Sequence, residues 1–278
     1  MKPQGLHNHS MFFKIKGLLK YPYFIFSFLL FDPLEKIKQF RALPIFVGNL
    51  LRYQSLNQNP SFDFHFKDLW YRTFDRFDVA GVATGQYFHQ DLWAARILFD
   101  RKIKKHVDVG SRIDGFIAHI LPFCEVTYVD LRPIDAKLNG FEFKQGSIVE
   151  MPFEDENVPS LSCLHVIEHI GLGRYGDPVN PDGYLQAAKE LVRVLQPGGI
   201  LLLGTPVGRE RLCFDAHRIF APQTVVNAFQ PLVLEEMQFI DDYGNMCSLD
   251  TTFAEAQEFR YGCGLFLFRK PLECEIKE

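Results

Sequence analysis

From residue 86 to the C-terminus the chain alternates short apolar runs with helical periodicities, and this alternation constrains the fold more than any other feature. Residues 87–99 (YFHQDLWAARILF) place Leu92, Ala95 or Arg96, and Phe99 at helical spacing. Residues 106–110 (HVDVG) make a short apolar strand closed by glycine, and 114–121 (DGFIAHIL) read as a helix. Residues 125–130 (EVTYVD) are rich in β-branched side chains, which suit a pleated surface. Residues 141–146 (FEFKQG) alternate like a strand, and 159–166 (PSLSCLHV) form another short one. Residues 182–195 give the clearest helix, with Asp182 as its cap and Leu185, Ala188, Leu191 or Val192, and Leu195 as its buried stripe. A Gln-Pro-Gly-Gly turn at 196–199 leads into a fully apolar strand at 200–206. Two further strands, 232–240 and 263–270, follow with little helix between them. The order predicts an α/β fold of three αβα layers, with a doubly wound, mostly parallel sheet and an antiparallel edge strand.

Residues 1–60 read as an accessory, helical N-terminal extension, with 61–278 as the main domain and the polar stretch 54–61 as the linker. Residues 61–80 are aromatic-rich and could pack on the core or cover a pocket. Residues 21–31 (YPYFIFSFLLF) are strongly apolar and follow Lys14, Lys16 and Lys20. This run is shorter than the roughly 20 residues of a membrane span, carries Pro22, and lacks the small-residue site of a cleaved leader. Two readings stay open: a helix packed on the domain, or a peripheral membrane contact through residues 11–31. A net charge of −4 offers no broad basic surface, so no nucleic-acid partner is expected. The six cysteines include no C-x-x-C pair, which points to reduced thiols and a cytoplasmic location, membrane-associated if the apolar segment makes contact.

Ligands of such sheets bind at the carboxyl ends of the strands, where strand order reverses. The first strand-to-helix turn is DVGSRIDG at 108–115; Gly110 lets the backbone turn sharply there. The next strand ends in Asp130, about twenty residues on, where a carboxylate can accept from both hydroxyls of a ribose. G-x-G-x-x-G is absent, as is the Gly-Lys-Ser/Thr of a phosphate loop, so a small nucleoside cofactor is favoured over a dinucleotide or a triphosphate.

The series HVDVGSRIDGF, VTYVDLRP, GSIVEMPFEDENVPSLSCLHVIEHIGLG and LQAAKELVRVLQPGGILLLGTPVG resembles the class I S-adenosylmethionine-dependent methyltransferases over residues 86–270. The nearest resemblance is to an uncharacterised, domain-of-unknown-function branch met in surface-glycan contexts. It implies a Rossmann-like sheet and S-adenosylmethionine as cofactor, with a small-molecule or glycan hydroxyl as the methyl acceptor. By position it implies that Asp108, Gly110 and Ser111 flank the methionine part of the cofactor and that Asp130 binds its ribose. Ser147 and Ile148 would lie against the adenine, and Gln90 would reach the carboxylate. Arg112 stands where the family has the second glycine of G-x-G-x-G. It could pair with the cofactor carboxylate or fill the pocket, and the second outcome would leave a non-catalytic binding protein. No Asn-Pro-Pro-Tyr follows the fourth strand, which argues against amino-group methylation of adenine or glutamine.

The segment LHVIEHIG (164–171) also matches H-x-x-E-H, the zinc-peptidase pattern, through His165, Glu168 and His169. A zinc hydrolase is therefore a remote alternative. It needs both histidines on one helix, whereas a strand precedes the motif and Gly171 and Gly173 follow at once, so no metal is expected. In the methyltransferase resemblance His165 ends strand 4 facing the cofactor and the acceptor, and Glu168 and His169 shape the floor of the site or serve structure alone; His165 and Glu168 are the catalytic candidates here. FDAHRIF (214–220) adds His217 as a candidate base, with Asp215 or Glu210 to orient it and Arg209, Arg211 and Arg218 to hold an anionic or sugar acceptor. The long loop 174–184 would be a lid, an acceptor wall or a plain connection.

Overall fold

The structure is a computed structural model that describes residues 33–70, 76–272 and 274–275. The apolar segment 21–31, and with it the membrane contact expected through 11–31, lies outside the described residues. The chain divides into two compact units, Met1–Val82 and Ala83–Glu278, so residues 61–82 go with the N-terminal unit.

In the first unit the described residues begin with α1 (Pro33–Leu56) and continue through two single 3-10 turns, Pro60–Phe62 and Phe66–Asp68. The polar stretch expected as a linker is a hydrogen-bonded turn. Asn59 accepts from the Ser61 amide at 3.0 Å, Asn57 donates to Asp63 at 2.8 Å, and the Tyr53 hydroxyl donates to the Phe62 carbonyl at 3.1 Å. Among the described residues no helix is long and apolar enough to cross a membrane.

The second unit opens with α2 (Gln86–Asp100) and β1 (Lys105–Val109). A π-helical turn at Ile113–Ile117 runs into the short α3 (Ala118–Ile120), followed by β2 (Glu125–Asp130), β3 (Phe141–Gln145) and β4 (Val158–Leu164). Then come α4 (Gly183–Val194), β5 (Leu195–Val207), the hairpin strands β6 (Arg211–Cys213) and β7 (His217–Ile219), and α5 (Pro222–Ala228). The chain closes with β8 (Val233–Ile240), α6 (Phe253–Gln257) and β9 (Gly262–Arg269).

Seven strands form one sheet in the order β3-β2-β1-β4-β5-β9-β8. The pairs among β1 to β5 are parallel, and β9 runs antiparallel between β5 and β8. The antiparallel strand expected at that side of the sheet is thus β9, second from the edge. The central strands are buried on both faces, so Ile200–Leu203 of β5 and Leu265–Phe268 of β9 read as unbroken apolar runs, whereas β4 carries the buried Ser160 and Ser162. One face packs Val109, Leu161, Leu201, Leu203 and Phe266 against Ala187, Ala188, Leu191 and Val194 of α4 and Phe229 after α5. The other packs Tyr128, Leu202, Leu265 and Leu267 against Trp93, Ala94 and Leu98 of α2 and Phe116, Ile117 and Ile120 around α3. These are the three expected layers. On α4 the buried stripe is turned slightly from the predicted one, because the two alanines allow the helix to lie close to the sheet. The helix expected at 114–121 starts as a π turn with Gly115 in a non-helical conformation, where a β-carbon would collide with the Asp91 carboxylate.

Strand order reverses between β1 and β4: the chain goes outward to β2 and β3, then returns to pair β4 with β1 on its other side. That is the switch point at which crevices open in doubly wound sheets.

Candidate functional site

The turn after β1 is held from beneath by a buried polar chain. His106 Nδ1 lies 2.8 Å from Ser160 Oγ and Nε2 lies 2.8 Å from Ser162 Oγ. Ser162 donates to Asp108 Oδ2, so it must accept from His106 Nε2–H, and the Ser160 hydroxyl then donates to Nδ1. Asp108 also accepts from the Ser111 amide at 3.0 Å and the Ser111 hydroxyl at 2.6 Å. Burial pushes His106 down to about 3 and Asp108 up to about 6, although the Ser111 and Ser162 hydrogen bonds work against the second shift. Asp108 and Ser111 therefore bond each other under the turn and are not on the cleft wall.

Gly110 is on that wall. Its φ is +68°, and a β-carbon would press to 3.1 Å from Val166 and 3.8 Å from Asp130, so only glycine fits without strain. Asp130 ends β2 and lines the cleft with its side chain 10% exposed. Its Oδ1 accepts from Arg132 N and Nε at 2.8 and 3.1 Å; its Oδ2 accepts from an Arg132 terminal nitrogen at 2.9 Å and Tyr128 Oη at 3.3 Å. Burial alone would raise the Asp130 pKa, but the Arg132 guanidinium outweighs it and holds the carboxyl below its ordinary range. The same guanidinium lies 4.8 Å over the ring of Tyr175, which hangs from the loop after β4. Gly146, Ser147 and Ile148 continue the wall past β3, and His165, His169, Tyr175 and Asn180 close the opposite side.

The H-x-x-E-H residues fold around one carboxylate. His165 follows β4 with φ +55°, an uncommon conformation for a residue with a side chain. A 3-10 turn at Ile167–His169 swings Glu168 back beneath it. Glu168, with its side chain 1% exposed, has Oε1 at 2.9 Å from His165 Nδ1 and 3.8 Å from His169 Nε2, and Oε2 accepts from Thr205 at 3.4 Å. Burial works against charge on His165, but the neighbouring Cys263 and the Glu168 carboxylate hold its pKa well above the ordinary value. His165 Nε2 is buried beside the Cys263 thiol. Because both rings turn towards Glu168, the motif does not present two imidazoles to a metal. No group of three or more metal-capable side chains occurs among the described residues.

The other residues marked in the sequence fall at varying distance from the cleft. Arg112 is 56% exposed, forks onto Asp114 at 2.9 and 3.1 Å and lies 5.4 Å over Tyr87. It neither fills the cleft nor lines it. Gln90 is buried against Gly204 with its Oε1 unpartnered, behind the cleft. His217 packs at a tilt against Tyr261 at 5.0 Å and stands 6.5 Å, ring to ring, from His169; burial lowers its pKa. Arg218 donates to the Ile170 and Pro181 carbonyls and so fastens the loop after β4. Arg209 pairs with Glu258, and Arg211 donates to the Arg209 and Arg260 carbonyls. Glu210 accepts from Thr224. Arg132 and Tyr175 carry no individual role in the sequence reading, and His169 enters it only through the H-x-x-E-H pattern and the floor of the site. Arg132 follows Asp130 by two positions and Tyr175 lies in the quoted loop, so their neighbours gave the only signal available.

Residues 155–258 match the profile of a family described as a Caenorhabditis protein of unknown function, DUF268. No curated protein matches. Among solved structures, the chain is similar to the N-methyltransferase NodS from Bradyrhizobium japonicum in complex with S-adenosyl-l-homocysteine, with 16% identity, 81% of this chain and 97% of that one covered, and a TM-score of 0.47. It is similar to the [4+2]-cyclase SpnF at 13% identity, with 86% and 96% covered and a TM-score of 0.48. A third is the 1,6-didemethyltoxoflavin-N1-methyltransferase of Burkholderia thailandensis, at 14% identity, with 66% and 78% covered and a TM-score of 0.45.

Proposed function

We propose that the chain is an S-adenosylmethionine-dependent methyltransferase acting on a hydroxyl of a small molecule or glycan. The observation that carries this reading is the crevice at the strand switch point. A left-handed glycine, where a side chain would be strained, lines it, and a carboxylate about twenty residues on stands at the end of the adjacent strand. The residues fit the cofactor: Gly110 gives close backbone approach, Asp130 would take the ribose hydroxyls, and Ser147 and Ile148 would border the adenine. Asp108 and Ser111 keep the turn in shape from below.

S-adenosylmethionine supplies a methyl group already activated on a sulfonium. What remains for the protein is to bind, align the acceptor, exclude water and hold the proton that a hydroxyl releases. His165, His217 and Glu168 are the groups the sequence marked for that task. The loop after β4, fastened by Arg218, would form the acceptor wall, with a peripheral membrane contact through residues 11–31 if the acceptor is lipid-linked.

A second reading, a non-catalytic binding protein, is favoured by one observation: Arg132 and Tyr128 fill all four acceptor positions of Asp130. Calorimetric titration with S-adenosylmethionine and S-adenosylhomocysteine decides between them. Micromolar binding that Asp130→Ala weakens by at least about tenfold, roughly 1.4 kcal/mol, supports the enzyme; no binding at millimolar ligand supports the second reading.

A further inference from the structure

We infer that His169 is the proton acceptor of the cleft, with the Ala216 carbonyl positioning its ring and the Glu168 carboxylate stabilising its charged form; this rests on the hydroxyl-transfer reading above. His169 Nδ1 lies 2.6 Å from the Ala216 carbonyl oxygen. A carbonyl can only accept, so Nδ1 carries the proton and the neutral ring keeps its lone pair on Nε2. Arg174 donates to the same oxygen at 2.9 Å and completes its two acceptor positions. Nε2 stands 3.8 Å from Glu168 Oε1, too far for a hydrogen bond but close enough for the carboxylate to stabilise the ring once Nε2 takes a proton.

His169 is on the cleft wall with Gly110, Asp130 and Tyr175, and its side chain is 14% exposed. The two histidines marked by sequence are placed less well. His165 spends Nδ1 on Glu168 and is 4% exposed, and His217 packs against Tyr261 and is not part of the wall. The charged and titratable groups facing His169 are Glu168 and, through that carboxylate, His165; Tyr175 edge-on at 5.4 Å; His217 at 6.5 Å; Arg174 at the shared carbonyl; and Arg218, which donates to the Glu168 carbonyl. The proton would pass from the acceptor hydroxyl to His169 Nε2 and leave to solvent at the cleft mouth.

The test uses the full chain and diethyl pyrocarbonate, which acylates unprotonated imidazole nitrogen, with the modified peptides located by mass spectrometry. At neutral pH His169 should label faster than His165, and saturating S-adenosylhomocysteine should slow its labelling. His169→Asn keeps a side-chain N–H for the Ala216 carbonyl and should bind S-adenosylhomocysteine within about twofold of wild type. With methyl glycosides as hydroxyl probes, the same variant should form S-adenosylhomocysteine at least about 100-fold more slowly and lose the acidic limb of the rate profile. Labelling of His169 no faster than of His165 overturns the assignment, as does labelling that bound S-adenosylhomocysteine leaves unchanged. A turnover loss no larger than the loss of cofactor affinity also overturns it. Failure of the wild type to bind S-adenosylhomocysteine overturns the cofactor reading instead, and the labelling order then judges His169 alone.

Discussion

At Asp130 the carboxylate has four acceptor positions, and Arg132 with Tyr128 takes them all. A ribose can enter only by displacing some of those donors, and the fork of Arg132 is the exposed part. Arg132→Gln should therefore tighten S-adenosylhomocysteine binding by about tenfold, the order of one charge-assisted hydrogen bond; calorimetry reads it, and weaker binding would show that Arg132 helps hold the ligand. Beneath the turn, His106 and Asp108 act on stability with opposite signs. His106, lowered from 6.5 to about 3, contributes stability that is present above 6.5 and lost as pH falls through that window. Asp108, raised from 3.8 to about 6, contributes stability present below 3.8 and lost as pH rises through 6. The His106 displacement is the larger, so the melting temperature should fall as pH drops from neutral towards about 4. His106→Gln should flatten that fall and Asp108→Asn should steepen it, as thermal melts across the pH series would show.

Among the elements, α4 was the most legible, because an amphipathic helix buries one stripe whatever it packs against. The sequence placed its start at Asp182, one residue before the observed Gly183, and found Ala188 and Leu191 in the stripe. The rotation towards Ala187 and Val194 came from the sheet beneath. Leu191→Ala, fully buried between α4 and the sheet, should cost about 2–5 kcal/mol in denaturant unfolding, and Phe268→Ala on β9 about 3–5 kcal/mol. A loss below 1 kcal/mol at either would mean that the three layers pack otherwise than described. The π turn before α3 was not legible: Gly115 there sits against the Asp91 carboxylate of α2, a neighbour that spacing along the chain does not reveal. Nor was the β6–β7 hairpin, three residues a side, too short to carry a strand period.

For the whole molecule, the cleft and its supporting network belong to the unit Ala83–Glu278 alone. A chain of residues 83–278 should melt cooperatively and bind S-adenosylhomocysteine within about threefold of the full chain; calorimetry on the purified unit checks it, and a tenfold loss would assign part of the site to the first 82 residues. What the sequence determined by itself was local and periodic. The alternation of strands and helices, the burial of the strand at 200–206, the glycine at 110 and the carboxylate at 130 all follow from residue type and spacing, so they could be read without a partner. What only the tertiary structure decided was direction and company. Arg132 turns back on Asp130, Asp108 turns inward to Ser111 and Ser162, and a left-handed residue at 165 lets one buried glutamate face two histidines. A side chain's hydrogen-bond partner depends on which strands become neighbours, and spacing along the chain carries no record of that.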